Sequence, residues 1–249
     1  MRRHLAGSSA RPHDPTPSIG HVRSAAQGLT RRQMLASSAS LMGSGLMAAS
    51  LPAFAQPARA RPTPEQVIGP FYPVRPPSDP DADLTVVAGQ VGRAEGTVVT
   101  LGGRVTDLRG EPVPHAEIEV WQANAAGRYT HPADDNPQAL DPHFEGYARI
   151  RADASGRYRI KTIKPGAYPV TAVPGWMRPP HIHFDVRGRH SRLVTQMYFE
   201  GEALNASDRF FDRLSANGKQ ALLARWSAPS TKREANVLDA EWNIVLIAG

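Results

Sequence analysis

The sequence contains no cysteine, which excludes disulfide bonds, thiol catalysis, cysteine zinc sites and cysteine-bound iron–sulfur clusters. Any metal ion must therefore be held by histidine, tyrosine, aspartate or glutamate side chains. Aromatic residues make up only 7% of the 249 residues, whereas the apolar share (41%) and the charged share (21%) are ordinary for a soluble globular protein. Proline and glycine are plentiful, at 23 and 21 residues, and they indicate a chain rich in turns.

The positive charge of the chain is concentrated at its beginning. The formal net charge is +6, of which residues 1–55 carry +5 and residues 56–249 carry +1. A protein that binds a nucleic-acid backbone needs a basic surface on its folded domain. The charge distribution therefore predicts no nucleic-acid partner.

The first 55 residues have the pattern of an export signal. The pair Arg31-Arg32 precedes a weakly apolar stretch over 34–51, and the small-x-small sequence at 53–55 is typical of a cleavage site. Serine and glycine dilute the apolar stretch too strongly for a transmembrane helix. We therefore expect residues 1–55 to be a disordered leader with a twin-arginine signal peptide. The twin-arginine export machinery would then carry the protein to the periplasm or to the outside of the cell.

The rest of the chain is predicted to be all-β. Short runs with period-2 alternation are separated by turn signals about every 8–12 residues, which favours an antiparallel β-sandwich core with short peripheral helices and long loops. The core is expected over 97–249, after an N-terminal arm and proline-rich loop over 56–96. Helical stretches are predicted over 207–216 and 218–226, and a final strand within 240–247.

Two histidines lie two positions apart in one predicted strand. Alternation places His181 and His183 on the same face and Ile182 and Phe184 on the opposite, apolar face. Such a pair can supply two metal ligands from one rigid element, but it is equally compatible with a polar, solvated strand face. Asp185 shares the face of the histidines, as a further ligand or as a group behind them.

Tyrosine is the other candidate ligand. Tyr129 and Tyr168 lie in turn-rich settings, whereas Tyr158 lies in a predicted strand, where a packed ring with a satisfied hydroxyl is expected. A phenol ionises at neutral pH only beside a strong positive charge, which a ferric ion supplies. For each tyrosine taken alone, a place in the core remains the simpler interpretation.

Six stretches of the sequence together resemble the intradiol ring-cleavage dioxygenases, in particular the protocatechuate 3,4-dioxygenase type. They occur in the family's order across residues 65–205, and their combination is far more specific than any one of them. They are GPFY at 69–72, VWQANAAGRY at 120–129, LDPHF at 140–144, TIKPGAYP at 162–169, RPPHIHF at 178–184 and VTQMYFEG at 194–201.

The resemblance implies a mononuclear non-haem Fe(III) enzyme acting on a small aromatic diol and O2. The ring would be cleaved between its two hydroxylated carbons to give a cis,cis-muconate type product. The iron ligands implied by the matching positions are Tyr129, Tyr168, His181 and His183. Tyr168 matches the tyrosinate that leaves when substrate binds.

The resemblance also implies the residues around the substrate. Arg178 matches the arginine that opposes negative charge beside the substrate, and Gln196 matches a glutamine in the pocket wall. Tyr72 is expected to line the pocket. Val170 replaces a tryptophan of the protocatechuate branch, which changes the pocket wall and leaves the substrate open. The family often forms larger assemblies, so a homo-oligomer is compatible with the sequence.

Two alternatives from other functional classes remain. Residues 97–170 also resemble the carboxypeptidase-regulatory-like and transthyretin-like β-sandwich modules, which bind or stiffen and do not catalyse; such a module would not need the motif at 178–184. A secreted zinc hydrolase could use His181 and His183, but it would need an additional carboxylate or histidine ligand.

Overall fold

The computed structural model describes residues 60–78, 80–227 and 237–249, so the predicted leader and signal peptide over 1–55 lie outside the described residues. Strands dominate the described part, and the helices are short. The strands are β1 (Val98–Thr106), β2 (Glu117–Trp121), β3 (Tyr147–Arg151), β4 (Arg157–Ile163), β5 (Tyr168–Pro169), β6 (Met177–Arg178), β7 (His181–Arg187), β8 (Arg192–Phe199), β9 (Leu223–Ser227), β10 (Leu238–Glu241) and β11 (Ile244–Val245). A 3₁₀ turn at Ala203–Ser207 precedes the helices α1 (Arg209–Asp212) and α2 (Ala216–Leu222).

Nine of these strands form one mixed sheet. Its order is β4-β1-β10-β9-β8-β7-β2-β3, with β11 following β10 along the same edge of β1. Strand β2 pairs antiparallel with β3 and with β7, and β7 pairs antiparallel with β8. Strand β8 pairs in parallel with β9, and β1 pairs in parallel with β10 and β11. The predicted all-β class is confirmed, but the core is not purely antiparallel as expected.

The N-terminal arm brings the two edges of this sheet together. The Arg149 amide on β3 donates to Pro80 O, and the Lys161 amide on β4 donates to Ala82 O. The Leu84 amide returns a hydrogen bond to Lys161 O, and the Leu84 side chain is fully buried. Because five residues of extended chain span at most about 18 Å, the sheet must curl until β3 and β4 lie near one another.

The interior of the curled sheet is the hydrophobic core. In β2, Ile118 and Val120 point into this core, and Trp121 belongs to a smaller aromatic cluster with Tyr129, Tyr147 and Tyr168. The alternation predicted from the sequence is thereby confirmed in β2. The two clusters divide the molecule into a packed interior and an aromatic side of the sheet.

The helical prediction is correct only in part. Helix α1 falls within the stretch predicted over 207–216. Helix α2 begins two residues before the stretch predicted over 218–226, and residues 223–226 belong to β9 and not to a helix. Their strand conformation comes from pairing with β8 and β10, which single-sequence propensity does not register. None of the helices in the described part of the chain is long and apolar enough to cross a membrane.

Candidate metal centre

Strand β7 holds both predicted histidine ligands on one face, between β2 and β8. His183 pairs in register with Trp121 on one side and with Gln196 on the other. The Trp121 indole stacks on the His183 ring, with centroids 4.9 Å apart and planes 8° apart. Neighbouring strands therefore fix the orientation of the His183 imidazole.

The two imidazoles direct their Nε2 atoms towards each other. The Nε2 atoms of His181 and His183 are 3.2 Å apart, and His181 Nδ1 lies 2.7 Å from Pro179 O. Since a carbonyl oxygen only accepts, His181 carries its proton on Nδ1, which leaves Nε2 with a free lone pair. This tautomer is the one that a metal ion requires at Nε2.

Two adjoining loops carry the tyrosines. The Asn124 side chain accepts from the Ala126 and Arg128 amides, and its carbonyl accepts from the Gly166 amide, so one residue organises the loop before Tyr129 and anchors the loop before Tyr168. A Cβ at Gly166 would lie only 2.4 Å from Ala125 O. The loops can lie this close together only because position 166 has no side chain.

The four predicted ligands converge in one buried cluster. Tyr168 Oη lies 3.4 Å from His181 Nε2, and the ring centroids of Tyr129 and Tyr168 are 5.5 Å apart. The Tyr129 and His183 centroids are 6.3 Å apart. All four residues are 2–7% exposed, so their polar atoms face one another and not bulk water.

The protonation states of this cluster suit a cation. Burial, reinforced by the nearby Arg178 charge, holds the pKa of His181 and of His183 well below the usual value, so both imidazoles are neutral at pH 7. Burial raises the pKa of the Tyr129 and Tyr168 hydroxyls, which Arg178 opposes only in part. Without a positive ion both phenols stay protonated, and a trivalent cation would reverse that balance.

An unpaired polar atom of the cluster points to the same conclusion. Tyr129 Oη is buried without a hydrogen-bond partner among the described residues. A buried unpaired polar group is unfavourable unless a ligand satisfies it. Within the described ranges, no group of three or more His, Asp or Glu residues could hold a metal, so the zinc-hydrolase alternative lacks its additional ligand.

Arg178 and Gln196 lie together beside the cluster. Arg178 pairs in register with Tyr168 across the short β5–β6 hairpin and is only 3% exposed. Its Nη2 donates to Gln196 Oε1 at 2.6 Å. Gln196 in turn donates to Val67 O at 2.8 Å, which connects the arm to the site.

Two predicted pocket residues lie farther out. Tyr72 packs edge-on against Trp121 at 5.0 Å, and its hydroxyl donates to Glu119 at 2.6 Å. Val170, half-buried, follows β5, and its amide donates to Trp176 O across the hairpin loop. Phe71, which the sequence analysis did not single out, is the arm residue in contact with the ligand cluster, at 4.8 Å from the Tyr129 ring centroid.

Two other sequence expectations concern Asp185 and Tyr158, and one further residue, Asp208, was not expected. Asp185 shares the face of the histidines but is not directed at them: its carboxylate accepts hydrogen bonds from Arg187 and Arg192. Tyr158 is a core residue whose hydroxyl donates to Trp242 O at 2.7 Å, as predicted. Asp208, which binds Arg178, was not predicted as a site residue; it lies at the start of the helical stretch predicted over 207–216, where a capping carboxylate is common.

Comparison with known proteins relates this arrangement to characterised sequences. A family model described as Dioxygenase matches residues 67–248. The protocatechuate 3,4-dioxygenase beta chain of Burkholderia cepacia is 47% identical over 168 residues, which cover 67% of this chain and 71% of that protein. The hydroxyquinol 1,2-dioxygenase of Rhodococcus opacus is 33% identical over 152 residues and is matched over 47% of its length.

Solved structures show the same fold. The dioxygenase domain of a dioxygenase carbohydrate-binding protein fusion from Streptomyces sp. SirexAA-E superposes with a TM-score of 0.56 at 26% identity, covering 76% of this chain and all of that one. Catechol 1,2-dioxygenase from Pseudomonas arvilla C-1 gives a TM-score of 0.55 at 27% identity, covering 74% of this chain and 62% of that one. None of these relatives supports the non-catalytic binding module.

Proposed function

Because the chain belongs to the intradiol ring-cleavage dioxygenases, we propose that it is an Fe(III)-dependent enzyme that uses O2 to cleave a catechol-type ring between the two hydroxylated carbons. The expected product is a diacid of the cis,cis-muconate type. One observation carries the proposal: two tyrosines and two histidines form a single buried cluster. In it, His181 Nε2 lies 3.4 Å from Tyr168 Oη and 3.2 Å from His183 Nε2.

The donor set of this cluster fits a ferric ion. Tyr129, Tyr168, His181 and His183 would hold it, with two neutral nitrogens and two oxygens that ionise beside a trivalent charge. When bound, the ion would supply Lewis acidity and an electron sink for the diol. The protein's own contribution is a preorganised, buried donor set. Within it, the tautomer of His181 is already fixed by Pro179 O.

Two residues of the β5–β6 hairpin are placed to act on the substrate. A catechol must lose two protons to bind the ion; Tyr168 Oη, once ionised beside the ion, is positioned to accept one of them, and a solvent hydroxide would accept the other. Arg178 carries a fixed positive charge beside Tyr168 and would oppose the negative charge that develops on the substrate. Gln196 holds the guanidinium against β8 and contributes to the pocket wall.

The decisive experiment is a visible absorption spectrum of the purified mature protein, with iron measured on the same sample. A tyrosinate-to-ferric charge-transfer band that shifts when catechol is added without oxygen supports the four-residue centre. Admission of O2 should then consume the diol and release the ring-opened diacid. A folded protein that stays colourless after ferric loading contradicts the proposal.

The substrate is proposed as a class, and a panel of diols would narrow it. The relatives are named for protocatechuate, hydroxyquinol and catechol, and the protocatechuate enzyme's beta chain is the most similar of those compared above. We therefore propose testing protocatechuate first. The ratio of kcat/KM among the three diols identifies the preferred substrate. Equally low values for all three would direct the search to other substituted catechols.

Export and self-association are also proposed. Replacing Arg31 and Arg32 with lysine should retain the protein in the cytoplasm, whereas the matched pair Arg2→Lys and Arg3→Lys should not; equal distribution of the two variants contradicts twin-arginine export.

Relatives are named as alpha and beta chains, which supports assembly of related domains. Light scattering on the purified chain tests homo-oligomerisation, and a monomeric mass contradicts it.

A further inference from the structure

The guanidinium of Arg178 contacts residues of two elements, strand β8 and the start of helix α1. Its Nη2 donates to Gln196 Oε1 at 2.6 Å and lies 3.3 Å from Tyr198 Oη, both on β8. Its Cζ atom lies over the Phe210 ring, 4.8 Å from the ring centroid. Its Nε donates to Asp208 Oδ2 at 2.7 Å. Of these partners, only Asp208 bears a compensating negative charge.

Asp208 binds two different elements with its two oxygens. While Oδ2 accepts from Arg178, Oδ1 accepts from the amides of Phe210 and Phe211 at 3.0 and 2.8 Å and caps α1. The residue is fully buried, at 0% exposure. An N-cap alone needs only a short polar side chain at the surface. Complete burial of a carboxylate indicates that its charge is used to neutralise Arg178.

The contacts fix the plane of the guanidinium as well as its position. Hydrogen bonds hold Nε to Asp208 and Nη2 to Gln196, and Cζ lies over the Phe210 ring, whereas none of the contacts described above involves Nη1. A planar group held at two of its nitrogens has a single orientation of its plane. The remaining nitrogen can then donate to a substrate oxygen without reorganisation.

We propose that Asp208 is a positioning residue for the reaction, since it holds Nε of Arg178 while Gln196 holds Nη2 and so fixes the plane of the guanidinium. This inference rests on the proposed function, because Arg178 acts on the diol only in that reaction. Helix α1 is then the support of the arginine, and Asp208 connects the two.

The test compares Asp208→Asn with Ser215→Ala. Asparagine keeps the cap of α1 but removes the charge, whereas Ser215 caps α2 through the Gly218 amide and lies outside the site, so its loss measures a cap alone. In Asp208→Asn we expect kcat to fall on the order of a hundredfold with a much smaller change in KM, because misplacing a catalytic group costs about that much. Iron content and the visible band should be retained, and Ser215→Ala should keep the kcat of the wild type.

A double-mutant cycle distinguishes positioning from general damage. If Asp208 acts through Arg178, Asp208→Asn should cost little more in an Arg178→Gln background. An unchanged kcat in iron-loaded Asp208→Asn, or losses that add in full, overturns the inference.

Failure of the proposed function would be recognised separately, as a wild-type protein without iron or without ring cleavage. In that event a crystal structure of Asp208→Asn decides the inference by itself. A guanidinium rotated away from Gln196 supports the positioning role, and an unmoved guanidinium overturns it.

Discussion

The tyrosines of this protein show how one residue type takes two roles through its surroundings alone. Tyr129 and Tyr158 are both buried, and burial raises the pKa of both hydroxyls. Tyr158 Oη donates to Trp242 O, whereas Tyr129 Oη has no partner among the described residues. One hydroxyl is satisfied by the fold, and the other is left for a ligand.

Removing these two hydroxyls should therefore affect different properties of the protein, stability in one case and bound iron in the other. Tyr158→Phe breaks a buried hydrogen bond and should lower the free energy of unfolding by about 1–3 kcal/mol while iron content stays normal. Tyr129→Phe should lower the stability of the iron-free protein less than Tyr158→Phe does, but it should reduce bound iron and the visible band. Denaturant unfolding and iron analysis of both variants provide the measurement. Equal iron retention in the two variants contradicts the assignment.

At this scale the sequence predicts residue types better than their contacts. The motif around His181 and His183 was recognisable, and so was the expectation that Tyr158 packs in the core. Phe71 packs against Tyr129, whereas the neighbouring Tyr72 packs against Trp121. Which of the two aromatic residues contacts the tyrosine depends on how the arm crosses the sheet, and no local pattern in the sequence predicts it. The same holds for the contact between Asp208 and Arg178, which are 30 residues apart.

Among the elements, the two tyrosine loops depend most on close backbone contact. Gly166 lies against Ala125 O and the Gly127 amide, and a Cβ would come within 2.4 and 2.5 Å of them. Both distances are shorter than van der Waals contact allows, so a side chain at 166 must push the loops apart. Tyr129 and Tyr168 would separate with them.

We expect Gly166→Ala to lower stability by about 1–3 kcal/mol, as overpacking does, and to reduce iron content. The matched control is Gly175→Ala on the neighbouring hairpin loop, where φ is +77° and nothing lies within 4 Å of the added Cβ. Its backbone strain costs about 1–2 kcal/mol, but the loops at the site stay in place. Thermal melting with iron analysis separates the two, and normal iron binding in Gly166→Ala would show that the loops are not coupled.

The strands were predictable where alternation is strong and not where pairing decides. The alternating runs at 116–122, 146–150 and 157–161 predict β2, β3 and β4 to within two residues. The predicted final strand is two strands, β10 and β11, because Asn243 Oδ1 accepts from the Arg104 amide and a side chain takes the place of a backbone partner. That substitution depends on a neighbour 139 residues away, which local patterns cannot show.

For the molecule as a whole, the arm is part of the fold and not an appendage. The Thr63 amide donates to Val245 O, the Gln66 amide donates to Val194 O, and Thr195 Oγ1 donates to Pro64 O. Farther along, Leu84 is buried in the main core between the sheet edges. The sequence predicts an arm and a proline-rich loop over 56–96. No local pattern in the sequence predicts that the arm joins β3 to β4.

Leu84→Ala should accordingly destabilise the whole domain. A fully buried leucine costs about 2–5 kcal/mol when truncated, whereas Val91→Ala in the same arm, at 97% exposure, should change stability by less than about 0.5 kcal/mol. The free energies of unfolding from denaturant titration provide the comparison. Similar values for the two variants would mean that the arm contributes nothing to the core.

The contacts of residues 80–84 also bear on how copies of this protein can associate. An unpaired sheet edge is a template onto which another chain can add a strand, and it is a common origin of aggregation. Here the Pro80, Ala82 and Leu84 contacts already use backbone groups of both β3 and β4. These contacts leave fewer backbone groups along that seam for strand addition by a second copy. Assembly there would then depend more on side chains, and so on a surface that can change without altering the candidate metal centre.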